Sequence, residues 1–261
     1  MADDNEYDLN PEQSAERSLA GQPIYRHKER TKPFEPAVGD METIGAVEAH
    51  IAAHLGEVDS VFHEIISDLV HIDVHVVKPT DDRPWYSLVT SGMSDRPMNT
   101  PEGAHDVRFA ELMINLPADW PLESKDKPGQ INSDPKAYWP IGWLKMIARM
   151  PHEYSTWVGF GHTIPNGDPA EPFADNTKFI GSILLPPLLT PEGFHELKLE
   201  GRTVHFYALC PLYSEEMDQK LKGGTESLFA AFEKAGVPPT EVEVVTLGRK
   251  NACKRKGWWP F

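Results

Sequence analysis

From Asp40 onward the apolar positions fall into short runs whose period keeps changing, and each change marks an element. Ile44, Val47, Ile51 and Leu55 recur every three or four residues, which places them on one helix face. Asp40 precedes that run as an N-cap, and Gly56 follows where a left-handed residue closes a helix. The period then shortens. Leu69–Val77 (LVHIDVHVV) is β-branched and alternating, so it predicts a strand, and Trp85–Thr90 and Arg108–Leu116 predict two more. The polar Ser91–His105 connection between them is long, and long loops inside compact domains are often functional. Residues 121–135 read as an exposed loop. Trp139, Trp143, Ile147 and Met150 then predict a helix with Pro140 near its first turn. Trp157–Ile164 and Phe179–Leu185 predict short strands, and His195–Leu199 and Thr203–Leu212 a hairpin turning at Glu200-Gly201-Arg202. Ser214 is placed to cap a helix carrying Met217 and Leu221. Thr225 is placed to cap another, with Leu228, Phe229 and Phe232 on one face and Gly236 and Pro238 stopping it. Glu241–Leu247 predicts a final strand. No regular βαβ repeat emerges, so the expected class is α+β, a mixed or antiparallel sheet with packed helices.

Composition divides the chain further. Residues 1–39 are rich in proline and charge and poor in aliphatic side chains, so they are expected to form a flexible arm. Residues 40–248 form the expected domain. Residues 249–261 form a basic and aromatic tail: Arg249, Lys250, Lys254, Arg255 and Lys256, then Trp258, Trp259, Pro260 and Phe261. Such a tail either binds nucleic acid or folds back onto the protein's own acidic surface. The formal charge of −15 repels phosphate backbones and anionic membranes, and its natural complement is a basic protein. No apolar run is long enough to span a membrane. The opening MADDNEYDLN has no leader character, so a cytoplasmic location is expected. Cys210 and Cys253 read as free thiols of a reducing compartment.

The chemistry-bearing residues form no complete catalytic set. His71, Asp73 and His75 alternate on one strand face, roughly seven ångströms apart by twice the per-residue rise, and no ligand from elsewhere is evident. No metal and no cofactor are therefore expected. Ser91-Gly92 ends a strand where glycine permits a close backbone approach, and Ser94, Asp95 and Arg96 add polar groups. No histidine accompanies Ser94 and Asp95, and no nucleophile elbow exists. Glu111 lies in an apolar strand and needs either solvent or a partner. Arg108 is on the opposite face and does not supply one. Gly161-His162 reads as a turn presenting an imidazole, and Lys222-Gly223-Gly224-Thr225 as a joint between helices. A protein-binding surface is expected at Ser91, Gly92, Ser94, Asp95, Arg96, Gly161, His162, Lys222, Gly223 and Gly224. Two alternatives remain open. One is a metal-dependent hydrolase using His71, Asp73, His75 and His162. The other is a small-molecule or peptide sensor with a cleft lined by Ser91–Asp95.

Four segments in order resemble the bacterial branch of the suppressor-of-fused domain family: LVTSGMSDRPMN, ELMINLPADW, WPIGWLKMIARMPHEYSTWVGFGHTIPNG and ALCPLYSEEMDQKLKGGTESLF. The likeness spans residues 40–236 and covers the arm and tail less. It implies an α+β fold, no enzymatic activity and no catalytic residues to carry over. It also implies a protein partner. Animal relatives bind zinc-finger transcription factors and have an additional C-terminal region, so their pathway role is not carried over. Bacterial members are associated with immunity to polymorphic toxins, which a basic toxin domain would satisfy here.

Overall fold

The structure is a computed structural model and describes residues 16–27, 30, 33–126 and 130–254. Asp40 caps α1 (Met41–His54), its carboxylate accepting the Glu42 N–H, and Gly56 beyond the helix has φ 111°. Strands β1 (Val58–Phe62), β2 (Asp73–Val77), β3 (Trp85–Ser91) and β4 (Ala110–Pro117) follow as an antiparallel series. Helix α2 (Pro135–Glu153) starts on Asp134 with Pro135 at its first position, where a missing N–H costs nothing. After β5 (Thr163–Pro165) and β6 (Gly181–Leu185), β7 (Glu196–Leu199) and β8 (Arg202–Leu212) make the expected hairpin, with Gly201 at φ 74°. Helix α3 (Ser214–Ala235) is broken at Gly224, whose φ and ψ are 78° and −179°. That break is the glycine joint read from Lys222–Thr225, although Tyr213 and not Ser214 occupies the cap position. Helix α4 (Pro239–Glu243) ends the fold.

The sheet order is β1-β2-β3-β4-β8-β6-β5, with β7 added onto β8, and β4–β8 is its parallel pair. The class is α+β with a mixed sheet. Alternation along the strands supplies two cores. Ile72, Val74, Val76, Leu112 and Ile114 pack with Trp139, Trp143 and Ile147 of α2. Val77, Val89, Met113, Phe206 and Ala208 pack with Val47 and Ile51 of α1 and with Leu228 and Phe232 of α3.

Several boundaries differ from the sequence reading. The strand expected from Leu69 begins only at Asp73, because Leu69 sits at φ 66° and Asp68 and Val70 bridge each other in a reversal. Strand β1 escapes the pattern because a register shift between Val58 and Ser60 breaks its alternation. Of Trp157–Ile164 only the end is strand, since Gly161 at φ 77° turns the chain beforehand. Glu241–Leu247 is not a strand. Pro239 starts α4 instead, and Val244 then makes a single parallel bridge to Asn115. Arg249 belongs to the folded body, not to a tail, for its side chain is buried against Glu216. Arg255, Lys256 and the Trp258–Phe261 aromatics lie outside the described residues.

The segment expected as an arm carries specific polar contacts. Arg26 pairs with Glu16 and Asp168, Arg30 with Asp68, and Glu35 with Arg96. The Ala37 N–H reaches the Ser67 carbonyl. Composition led to the expectation of a flexible arm; besides these contacts of charge and backbone, the His27 ring stacks on Tyr154 with centroids 5.1 Å apart.

Candidate functional site

Between the start of α1 and the β1–β2 edge lies a cleft of about 450 Å³, lined by Val38, Met41, Ile44, Glu48, His63 and Ile65 among others. Its floor is β2. Asp73 and His75 project to the α1 side because Val74 and Val76 take the opposite, α2-facing side. His63 and Glu64 enter from the end of β1, and His71 from the approach to β2. The β1 end is pinned to α2: the Lys145 ammonium donates to the Phe62 carbonyl, and Arg149 pairs with Glu64. Glu64 in turn accepts the Ile72 N–H, a donor no neighbouring strand satisfies.

Asp73 is the centre of the cluster. One carboxylate oxygen is 2.9 Å from His63 Nδ1, and the other is 3.0 Å from His71 Nε2 and accepts the Glu64 N–H. Burial works against its charge, but the His63 and Glu64 hydrogen bonds and the field of His71 outweigh it and hold the carboxyl below its usual range. His71 Nδ1 is 2.6 Å from the Ser67 hydroxyl, which fixes the ring. His75 is buried and its imidazole is pushed down, chiefly by burial. Its Nε2 is 2.9 Å from the Ser91 hydroxyl, while its Nδ1 has no hydrogen-bond partner. Around this polar floor the rim is apolar and open: Ile65 is 98% exposed, Val38 92% and Met41 77%.

The Ser91–Arg96 segment is the wall behind this cleft. Gly92 stands at φ 95°, and a Cβ there would lie 1.8 Å from the His71 carbonyl oxygen. Only glycine lets the two chains pass so closely. Ser94 is buried and donates through both N–H and hydroxyl to Glu111. Asp95 accepts the Asp40 N–H, tying the turn to the start of α1, and burial raises its carboxyl. Arg96 pairs with Glu35 at the surface. The remaining predicted residues form a separate group. A Cβ on Gly161 would meet the Thr225 hydroxyl at 2.9 Å, so the turn abuts the α3 break. His162 packs edge-on against Trp157 at 4.3 Å, and burial lowers it to about 4. Lys222 pairs with Asp218 along the helix, and the Ala20 N–H reaches the Leu221 carbonyl beside Gly223 and Gly224.

A metal hydrolase drawing on His71, Asp73, His75 and His162 required these four to converge. His162 lies against Trp157 and does not line the cleft, whereas His63, which the sequence reading did not consider, joins His71 and Asp73. Its signal was weak: a histidine one residue past a strand hidden by its broken alternation.

The model of the suppressor of fused protein (SUFU) family matches residues 68–250. The chain belongs to the suppressor-of-fused family. No curated protein matches it in sequence. Among solved structures, a SUFU homologue from Neisseria gonorrhoeae aligns at TM-score 0.60 and 17% identity, over 83% of this chain and 100% of that one. The Sufu–Fu complex aligns at TM-score 0.56 and 14% identity, over 84% and 93%. Drosophila Suppressor of Fused aligns at 0.54 and 14%, over 82% of this chain and 54% of its own. At such identities the likeness concerns the fold. Within the suppressor-of-fused match fall His71, Asp73, His75 and the Ser91–Arg96 wall, whereas His63 and the apolar rim of Val38, Met41 and Ile65 precede it. Among the described residues no helix is long and apolar enough to cross a membrane.

Proposed function

We propose that the chain is a non-enzymatic, protein-binding module that docks its partner in the cleft between α1 and the β1–β2 edge. One observation carries the reading: Val38, Met41 and Ile65 stand open to solvent around a polar floor. Apolar side chains exposed together around polar groups are the usual makings of a protein contact. The Sufu–Fu complex supports it, as a protein of this fold crystallised with a protein partner. Ser91, Gly92 and Asp95 serve this surface from behind, by fixing His75, His71 and the start of α1, while Ser94 anchors the turn to Glu111. Arg96 stands at its edge. With a formal charge of −15, the molecule attracts a basic partner and hastens the encounter. A basic toxin domain held inactive by direct capture in the cytoplasm is the instance we favour.

The test is cross-linked capture from the native cell with the whole chain, beside Met41→Asp and Ile65→Asp. Both side chains are exposed, so the thermal midpoints should match the wild type. A partner kept by the wild type and lost by both variants supports the cleft. One kept equally by all three moves docking elsewhere. The toxin instance is checked by expressing the captured partner alone: growth should stop, and co-expression of the wild type but not of Ile65→Asp should restore it.

A further inference from the structure

We propose that His63, His71 and Asp73 form a divalent transition-metal site of the zinc type on the floor of the cleft. One ligand atom from each of the three lies within 4.8 Å of the other two. The contacts at 2.9 and 3.0 Å run to different oxygens of Asp73 and are shorter than the spacing of about 3.4 Å between donors that tetrahedral bonds of about 2.1 Å require, so the cluster has to open slightly to admit an ion. His63 can supply that adjustment, because its side chain is 71% exposed.

The surroundings match what a metal needs. A ligating imidazole is normally oriented through its second nitrogen, and His71 Nδ1 is already held by the Ser67 hydroxyl. Asp73 is oriented by the Glu64 N–H. Gly92 brings the backbone of the β3 turn against the His71 carbonyl, so the approach to β2 has a fixed place. An independent observation points the same way. His75, one step further along the same face of β2, is 1% exposed and lines the cleft, yet its Nδ1 has no partner. A buried nitrogen left without a hydrogen bond is unfavourable, and a cation with its bound water is one group that would satisfy it.

Two imidazoles and one carboxylate select zinc and its late first-row neighbours over magnesium or calcium, which prefer oxygen cages. Three protein ligands leave at least one position open toward the cleft, for water or for a side chain of whatever docks there. The sequence alone argued against a metal because His71, Asp73 and His75 lie too far apart along one strand. The fold removes that objection by bringing His63 from β1. This inference does not rest on the protein-binding reading, since it concerns an ion taken up by the isolated chain.

The experiment is titration of the metal-stripped full chain with Zn2+ by calorimetry, repeated with Co2+ to read the visible absorption of the bound ion. The wild type should take up one equivalent, with intense tetrahedral cobalt bands. His63→Ala and His71→Ala should each bind at least ten times more weakly, and His105→Ala, remote and exposed, should bind like the wild type. Millimolar Mg2+ should not displace the ion. His63→Ala is the variant that keeps the test decisive, since an exposed side chain is removed without disturbing the fold. Absence of stoichiometric uptake by the wild type would overturn the proposal, as would uptake that both histidine variants retain in full.

Discussion

Glu111 carries the strongest conflict of forces at a single residue. Its side chain is fully buried, and Thr90 and Ser94 donate three hydrogen bonds to it. Burial nevertheless dominates and pushes its carboxyl up to about 7, as it does for Glu243 beside Asn115 and Leu189. A raised acid favours the folded state when protonated. Its contribution is full below its unfolded value and is lost as pH climbs through the folded one. His152 and His162, lowered to about 4 by burial, act oppositely. Their contribution is present above the ordinary imidazole value and is lost as pH falls toward about 4. The overall pH profile therefore mixes opposing slopes, and a variant is needed to separate them. Glu111→Gln removes one titrating group and keeps the shape. Its stability relative to wild type should rise by about 2–3 kcal/mol between about pH 5 and pH 8, following about 1.4 kcal/mol per pK unit. Urea denaturation at both pH values reads the difference. Parallel profiles would show that Glu111 does not titrate in this range. Nothing in the sequence could decide this, because Arg108 was the visible neighbour, while the true partners come from a turn 17 residues earlier and from the adjacent strand.

Elements were legible where one period ran unbroken. Helix α1 follows from Asp40, the Ile44–Leu55 spacing and Gly56, and the β7–β8 hairpin follows from its glycine turn. Legibility failed where backbone geometry overrode composition. Leu69 is apolar and sits in a β-branched run, yet it takes a left-handed conformation that ends any strand there. The C-terminal boundary failed for a different reason: a run of basic residues looks solvated until its partner is known. Arg249 forms a two-pronged pair with Glu216 at 2.7 Å, donates to the Pro211 carbonyl, and lies over the rings of Phe179, Tyr213 and Phe232. Glu216 also accepts the Tyr213 N–H at the start of α3 and the Ala252 N–H. One ion pair thus joins β8, the first turn of α3 and the C-terminal segment. Arg249→Ala strands the Glu216 carboxylate in the interior, and breaking a buried pair from one side typically costs about 3–5 kcal/mol. The variant should lose that much in equilibrium unfolding, and Lys250→Ala, on the exposed side, should lose under about 1 kcal/mol. Equal losses would return Arg249 to the tail.

On the scale of the whole molecule, the N-terminal segment and the cleft are mechanically linked. Arg30 and the Glu35 N–H both hold the Asp68 carboxylate, the Glu35 carbonyl accepts the Leu69 N–H, and the Ala37 N–H reaches the Ser67 carbonyl. Residues 67–69 are therefore clasped from outside by a segment that adds little to either core. The same short stretch leads into His71, and Ser67 orients its ring. Composition led to the expectation that residues 1–39 are dispensable for folding, and the two apolar cores consist of residues beyond them. Their contacts point to a more local role. Removal of residues 1–38 should lower global stability by less than about 2 kcal/mol, since surface pairs and a few backbone bonds contribute little each. It should also free the 64–72 segment. Hydrogen exchange resolves the two effects, because local opening needs far less free energy than global unfolding. In the truncated chain the Leu69, Val70 and Ile72 amides should exchange at least ten times faster, while those of β3 and β4 keep their protection. If all amides accelerate together, the segment is part of the cooperative fold. If none does, the clasp has no mechanical effect, and the geometry of His63, His71 and Asp73 is set by the sheet and α2 alone.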